Sequence, residues 1–197
     1  MTRFSKRIIL ILTLMAISGM GLLWLFRFEL GYHRYRTHIQ AAADRYKVPP
    51  HLIASVIWQE TRFQPYRRGL AGEIGLMQIM PGSAREWAKA EQVADFNSLM
   101  LLDPQTNILA GTWYLARALQ RWSDHSNPLP YALAEYNAGH SNATRWNREA
   151  APDPDAFMQA ISFPATRNYV RRILARFHAV GRPWKLWFDR DPKRRGI

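Results

Sequence analysis

The residues best suited to chemistry lie at the end of an apolar helical stripe. In the run VIWQETRFQPY, Glu60 continues a stripe formed by Ile53, Val56 and Ile57. Residues three and four apart share one helix face, so the Glu60 carboxyl extends an apolar surface near the C-terminal end of a helix. Burial and the negative end of the helix dipole both raise the pKa of a carboxyl group. A glutamic acid that stays protonated near neutral pH can act as a general acid.

The structural alternative is a Glu60 that forms an ion pair. A salt bridge to Arg62, or to an arginine distant in sequence, would keep the carboxylate charged and give it a purely structural role. The stripe alone does not separate these two interpretations. The motifs in the rest of the chain favour the chemical one.

The segments that position Glu60 are predicted to be helical almost throughout, so the fold class is mostly α. Proline is favoured in the first helical turn, and Pro50 therefore opens the helix that carries Glu60 and runs to about Arg62. One short β-hairpin, around residues 72–79 in a glycine-rich stretch, is the only strand pair that the sequence suggests. Other helices are predicted at 37–47, from Pro81 through Trp87, from Pro104 to Trp122, at 131–139, at 142–148, at 155–161, and from Pro164 to Gly181.

Four short motifs occur in an order known from one family. They are Glu60-Thr61, Gly75-Leu76-Met77-Gln78, Tyr136-Asn137-Ala138-Gly139 and Thr166-Arg167-Asn168-Tyr169-Val170. On these motifs the chain resembles the soluble-lytic-transglycosylase-like (SLT) domains, the family 1 lytic transglycosylases, which are related to goose-type lysozyme. The resemblance covers roughly residues 37–180 and implies a lysozyme-like helical domain.

The resemblance implies an enzyme that acts on the glycan strands of peptidoglycan. It would cut the β-1,4 bond between N-acetylmuramic acid and N-acetylglucosamine, with Glu60 protonating the glycosidic oxygen. Glu60 would then act as a base toward the muramic C6 hydroxyl, which closes on C1 and leaves a 1,6-anhydro end. Because this nucleophile belongs to the substrate, one carboxylate suffices, and the resemblance implies neither a metal nor a cofactor.

The resemblance also implies which residues bind the substrate. Gln78 and the backbone of Met77 would line the cleft beside the catalytic acid. Tyr136 and Asn137 would orient the sugar and form hydrogen bonds near the acid. Tyr169 would close the site from the last helix.

Four positions depart from the family pattern. Thr61 replaces a serine but keeps the hydroxyl, which would hold a sugar substituent or the acid itself. Ala165 replaces a glutamate that many members have near the substrate, so substrate positioning is expected to differ. Glu73 and Glu135 each stand where an alanine is common.

The two unusual glutamates allow a second interpretation of the function. A lysozyme-like hydrolase would need a second carboxylate to activate water, and Glu73 or Glu135 would be that group. Their structural alternatives are a loop surface charge for Glu73 and a salt bridge for Glu135, for example with an arginine of the last helix. A non-catalytic wall-binding module is a further alternative, which the presence of Glu60 disfavours.

Composition limits the partners. The 197 residues include no cysteine, which excludes disulfides, thiolate metal sites and a cysteine nucleophile. The formal net charge of +12 favours anionic partners such as wall polymers or anionic lipid. No helix-turn-helix, zinc-finger or RNA-binding pattern is visible, so nucleic acid is not a predicted partner.

The N-terminus predicts a membrane anchor. Residues 1–7 are basic, and Ile8–Phe26 contains nineteen residues without a charge. As a helix this run is about 28 Å long, enough to cross the hydrocarbon core of a bilayer. The alternative is a cleaved signal peptide, because Ala16-Ile17-Ser18 has the form of a cleavage site. The run continues beyond that site, which favours an uncleaved anchor.

The anchor prediction sets the domain organisation. Residues 27–36 form a linker, 37–182 the catalytic domain and 183–197 a basic tail. The tail contacts a membrane surface or polymer, or else it packs its aromatic residues on the domain. Positive charges flank the anchor on both sides, so its orientation rests on the expected substrate. A peptidoglycan substrate requires a periplasmic domain, held at the inner membrane by a single-pass helix.

Overall fold

The structure is a computed structural model that describes residues 3–150 and 153–180. Contacts between Cα atoms divide the chain into two units, Met1–Arg36 and Thr37–Ile197. Most side chains before residue 26 lie outside the described part, and so does the predicted basic tail, 183–197. The candidate site belongs to the second unit.

The first helix is α1 (Arg3–Tyr46). It includes the predicted anchor, and residues 27–36, predicted as a linker, are helical within it. Among the described residues, no helix combines the length and the apolar character that a bilayer crossing requires. The anchor is therefore not confirmed, and most of its side chains are outside the described part.

The second unit is helical, as predicted. Its helices are α2 (Pro50–Thr61), α3 (Pro81–Ala90), a short 3₁₀ helix (Ser98–Leu102), α4 (Pro104–Arg121), α5 (Leu129–Ala138), α6 (His140–Glu149), α7 (Pro154–Ala160) and α8 (Pro164–Val180). Most of them begin at a proline, because its fixed φ suits the first turn and its missing N–H has no partner to lose there. The Asp103 carboxylate caps α4 by accepting from the Thr106 amide at 2.8 Å.

The predicted hairpin at 72–79 is wrong as a pair of strands. Residues 3–150 and 153–180 contain no strand, and the stretch forms two isolated antiparallel bridges, Arg68 with Ile74 and Ile74 with Ile79. Gly75 (φ 76°) and Gln78 (φ 48°) both have left-handed backbone conformations. These two residues reverse the chain within one tight turn, which leaves no room for a longer ladder.

The core surrounds α2, which packs against α8. Ile53, Val56 and Ile57, the stripe that leads to Glu60, have no exposed surface. On α8, Val170 and Ile173 are equally buried. Burying an aliphatic side chain of this size contributes about 1.5–3 kcal/mol, so this packing fixes the C-terminal end of α2 firmly.

Candidate active site

Glu60 lies at the last turn of α2, one residue before the helix ends. Arg62 (φ 55°) and Phe63 (φ 62°) then turn the chain sharply away through left-handed conformations. The Glu60 carboxyl is half-buried, and its Oε1 accepts a hydrogen bond of 2.7 Å from the Tyr169 hydroxyl. Two of the predicted site residues, 109 positions apart in sequence, are therefore in direct contact.

The surroundings of Glu60 raise the pKa of its carboxyl toward neutral pH. Its pKa is raised from 4.5 to about 7, mainly because burial disfavours the carboxylate. The hydrogen bond from Tyr169 lowers the pKa, the charge of Glu73 raises it, and the charge of Arg67 lowers it. No salt bridge to Arg62 or to any other cation forms among the described residues. The arrangement provides a proton donor whose carboxylate, once formed, already has a hydrogen-bond donor beside it.

Thr61 joins the end of α2 to the loop of residues 74–78. Its hydroxyl donates to the Leu76 carbonyl at 2.9 Å, with the Ile57 carbonyl at 3.2 Å. The side chain has no exposed surface. The Thr61 hydroxyl, expected to hold a sugar substituent or the acid itself, thus bonds to the loop behind Glu60 and lies away from solvent.

Met77 is held from three sides and is fully buried. Its amide donates to Asn107 Oδ1 at 2.8 Å, and its carbonyl accepts from the Tyr136 hydroxyl at 2.9 Å. A Cβ on Gly111 would lie 2.6 Å from the Met77 sulfur, so only glycine leaves space for this side chain. Both backbone polar groups of Met77 thus have partners within the protein, which makes Met77 part of the wall of the site.

The Gln78 side chain forms hydrogen bonds to the backbone that precedes it. Its Nε2 donates to the carbonyls of Arg67 at 3.1 Å and Gly75 at 2.9 Å. The side chain is half-buried, and its backbone has a positive φ. These bonds bring the chain segment that carries Arg67 close to the segment that carries Gln78, which places the Arg67 charge where it acts on Glu60.

Tyr136 and Asn137 lie at the end of α5. The Tyr136 ring packs edge-on against Tyr114, with ring centroids 5.7 Å apart. Burial raises the pKa of Tyr136 well above its usual value, and the Glu60 charge raises it further. Asn137 is exposed, and its Oδ1 accepts a hydrogen bond of 2.7 Å from the Thr166 hydroxyl. Asn137 is thus the predicted site residue that is exposed to solvent.

Glu135 has a structural environment. It is 2% exposed and is paired with Arg121 of α4 rather than with an arginine of the last helix. Its Oε2 also accepts from Trp122 Nε1 at 2.8 Å and lies 3.1 Å from His140 Nδ1. With both oxygens engaged and almost no solvent access, Glu135 does not offer a base to a water molecule.

Glu73 has a different position, on the loop beside Glu60. Its carboxylate accepts from the Ala71 amide at 3.1 Å and is half-buried. A Cβ on Gly69 would lie 2.0 Å from Glu73 Oε2, so the loop folds closely around this carboxylate. Its charge acts on Glu60. Among the described residues, no group of three or more His, Asp or Glu is arranged to hold a metal ion.

Comparison with known proteins decides the family. The model of the transglycosylase SLT domain matches residues 37–156. The chain belongs to the SLT transglycosylase family. Among its relatives, the soluble lytic murein transglycosylase of Salmonella typhimurium is 33% identical over 86% of this chain and 26% of its own length. The membrane-bound lytic murein transglycosylase F of Desulfosudis oleivorans is 36% identical over 55% of this chain and 23% of its own length.

Solved structures show the same fold. The inactive mutant of the lytic transglycosylase Slt from Pseudomonas aeruginosa aligns with a TM-score of 0.69, at 26% identity, over 76% of this chain and 24% of that one. The 70-kDa soluble lytic transglycosylase of Escherichia coli aligns with a TM-score of 0.65, at 32% identity, over 72% of this chain and 23% of that one. The helical, lysozyme-like fold is therefore confirmed. The chain spans about a quarter of the length of these relatives.

Asn107, which belongs to none of the four sequence motifs, also organises the candidate site. Asn107 of α4 is 1% exposed and accepts from the Met77 amide. Its Nδ2 donates to the carbonyls of Ile74 at 2.8 Å and Leu101 at 2.9 Å. A signal was present, because Asn107 lies four residues before Gly111 on the buried face of α4. A polar side chain on such a face needs internal partners.

We expect Glu60→Gln to stabilise the fold in a pH-dependent manner. The pKa of Glu60 is about 7 in the folded chain, against 4.5 for the free side chain. The folded state therefore binds more protons between these values, and the free energy of unfolding falls as the pH rises from about 4.5 to about 7. Glutamine removes this loss. The substitution should therefore leave the free energy of unfolding nearly unchanged at pH 4.5 and raise it by up to about 3 kcal/mol at pH 8.

Urea unfolding of the full chain at several pH values measures this difference. Glu149→Gln is the matched control, because Glu149 is exposed on α6 and the same substitution there is expected to change little. A gain from Glu60→Gln that is equal at pH 4.5 and pH 8 would contradict the assigned protonation of Glu60.

Proposed function

We propose that this chain is a lytic transglycosylase that cuts the β-1,4 bond between N-acetylmuramic acid and N-acetylglucosamine in peptidoglycan. The observation that carries the proposal is the Glu60 carboxyl, whose pKa is raised to about 7 and which is in contact with the Tyr169 hydroxyl. Membership of the SLT family supports it. One solved relative supports it further, since the Pseudomonas aeruginosa enzyme was solved as an inactive mutant in which glutamine replaces a glutamate.

In the first step Glu60 acts as the acid. It transfers its proton to the glycosidic oxygen, and the bond from that oxygen to C1 of the muramic sugar breaks through an oxocarbenium-like transition state. The developing Glu60 carboxylate receives the hydrogen bond of Tyr169, which stabilises the charge as it forms. The leaving N-acetylglucosamine end keeps the transferred proton as its new hydroxyl.

In the second step the same carboxylate acts as the base. It takes the proton of the muramic C6 hydroxyl while that oxygen bonds to C1, which closes the 1,6-anhydro ring and returns Glu60 to its protonated form. No water is consumed. A nucleophile within the same sugar has a high effective concentration, so a second carboxylate is unnecessary.

The other site residues divide into two roles. Gln78, Tyr136, Asn137 and Tyr169 are proposed to face the sugar or the acid. Thr61, together with Met77, positions the loop from behind, because both side chains are fully buried. In this assignment the exposed amide of Asn137 binds the acetamido and hydroxyl groups of the substrate.

A lysozyme-like hydrolase is the second candidate. Glu73 favours it, since its charge acts on Glu60 from the neighbouring loop. In that mechanism Glu73 would activate a water molecule, and the product would carry a reducing end instead of an anhydro ring. Glu135 takes no part in either mechanism, because its carboxylate is committed to Arg121 and Trp122.

We also propose that Ile8–Phe26 anchors the chain in the inner membrane, with residues 37–182 in the periplasm. The support comes from the sequence: a nineteen-residue run without charge. A membrane-bound relative is consistent with this placement. The anchor would hold the enzyme next to the wall that it cuts.

The first measurement is the mass of the released sugars. Full-length chain incubated with purified peptidoglycan is expected to release fragments with 1,6-anhydro-muramic ends, one water lighter than reducing ends. Glu60→Gln is expected to lower the rate on the order of 10³-fold while leaving binding to the polymer intact. Reducing ends would point to the hydrolase and to Glu73, and no release from the unaltered chain would leave a wall-binding module.

Tyr169→Phe is expected to move the pH profile of the reaction. Activity should fall above about pH 7, because only protonated Glu60 can act as the acid. Phenylalanine removes a hydrogen bond that favours the carboxylate, so the pKa of Glu60 rises and the alkaline limb moves to higher pH, by about one unit or less.

The control for that profile is Tyr131→Phe. The Tyr131 ring stacks on Trp122 instead of contacting Glu60, so its substitution should leave the limb in place. A limb that stays fixed or moves to lower pH in Tyr169→Phe would contradict the role assigned to this hydrogen bond.

Fractionation tests the anchor. The full chain is expected to stay with membranes after an alkaline carbonate wash, and a variant lacking residues 1–36 is expected to be released. An alkaline phosphatase fused to the C-terminus should be active, since this reporter works only outside the cytoplasm. A shortened mature chain that begins after Ser18 would indicate a cleaved signal peptide, and an inactive reporter would contradict the periplasmic placement.

A further inference from the structure

A cavity of about 610 Å³ lies on the outward side of α4. Trp113, Arg117 and Gln120 line it at a spacing of four and three residues, so they share one face of the helix. The end of α1 supplies the opposite wall through Tyr46 and Lys47. The volume falls within the range of small-ligand sites.

This cavity is separate from the candidate active site. The face of α4 that organises the 74–78 loop carries Asn107 and Gly111, which are buried in the core. The cavity is lined by the other face. Its lining includes neither Tyr169, which bonds to Glu60, nor Asn107 and Tyr136, which bond to Met77. One face of α4 thus supports the candidate active site, and the opposite face lines the cavity.

The charge of the cavity is positive. Lys47 is exposed, and no acidic partner contacts it within residues 3–150 and 153–180. Arg117 pairs with Glu86 at 2.9 Å, with side-chain exposures of 42% and 62%. The neighbouring Arg45 and Glu91 also pair with each other. Lys47 therefore supplies the positive charge that a ligand could pair with, and an ammonium group favours a carboxylate as its partner.

The remaining lining suits a sugar. The Trp113 ring is half-exposed, and the Arg117 guanidinium lies over it, 4.6 Å from the ring centroid. Tyr46 is fixed in place because its hydroxyl accepts from Trp87 Nε1 at 3.0 Å. Aromatic surface with polar groups around it matches a sugar ring, which has apolar C–H faces and hydroxyl edges. Gln120 supplies an amide at the exposed rim.

We propose that this cavity is a second glycan-binding site, which holds a carboxylate-bearing segment of peptidoglycan away from the point of cleavage. The proposal rests on the proposed function for the identity of the polymer. The aromatic side chains would contact the sugar, and Lys47 would pair with a muramic or peptide carboxylate. A second contact would keep the enzyme on the polymer between cuts, since linked binding events raise the effective concentration at the site.

Binding of the full chain to insoluble peptidoglycan tests the proposal. Both the reference chain and the variants carry Glu60→Gln, so the polymer remains intact. Lys47→Glu is expected to weaken binding about tenfold at low salt, because it replaces an attraction with a repulsion. The difference should shrink above about 0.5 M salt, where exposed charges are screened. Trp113→Ala is expected to weaken binding at both salt concentrations.

Arg148→Glu is the matched control. It makes the same change of charge at an exposed position on α6 and should alter binding less than twofold. Chitin, an uncharged polymer of N-acetylglucosamine, provides the second comparison, since Lys47→Glu should leave binding to it unchanged. Equal effects of Lys47→Glu and Arg148→Glu would overturn the site, and an equal loss on chitin would overturn the carboxylate assignment.

Activity separates this proposal from the proposed function. With Glu60 restored, Lys47→Glu should cleave short soluble glycan fragments within twofold of the unaltered chain, because such fragments need only the active site. A parallel loss on short fragments would overturn the claim that the cavity is separate. A chain that cuts nothing but binds peptidoglycan through Lys47 would reject the proposed function and keep the second site. A chain that cuts normally but binds independently of Lys47 would keep the proposed function and reject the second site.

Discussion

A carboxyl group at the C-terminal end of a packed helix is the constraint on which the rest of the site depends. Glu60 continues the buried stripe of α2, so its charged form is disfavoured and its pKa rises to about 7. The hydrogen bond from Tyr169 opposes this shift without cancelling it. The packing of α8 against α2 sets this balance, because it brings the phenol to within 2.7 Å of the carboxyl. An acid held in this way can lose a proton and recover it at neutral pH.

The loop of residues 74–78 is built to stay in place beside that acid. Thr61 fixes it from α2, Asn107 from α4 and Tyr136 from α5, each through a hydrogen bond to the loop backbone. Backbone groups satisfied in this way resist rearrangement, since breaking any of these bonds would leave a buried polar group unpaired. Rigid support behind the site is what a mechanism based on precise proton transfer requires.

The two unusual glutamates show how environment decides the role of one residue type. Glu135 lies inside the fold, where Arg121 and Trp122 use both of its oxygens, and it holds α4 against α5. Glu73 lies on the loop near Glu60, where its negative charge helps to keep the acid protonated. Sequence position made both of them candidates for a second catalytic carboxylate, and only the contacts separate them.

The sequence by itself determined the helical class, most helix starts and the place of Glu60 at the end of a buried stripe, because proline positions and apolar spacing are local features. It did not determine that Thr61 faces inward, that residues 72–79 form two bridges instead of strands, or that Asn107 fastens the loop. These features depend on contacts between residues distant in the chain. The tertiary structure decided them, since a buried hydroxyl or amide takes its role from the partners that packing brings within hydrogen-bonding distance.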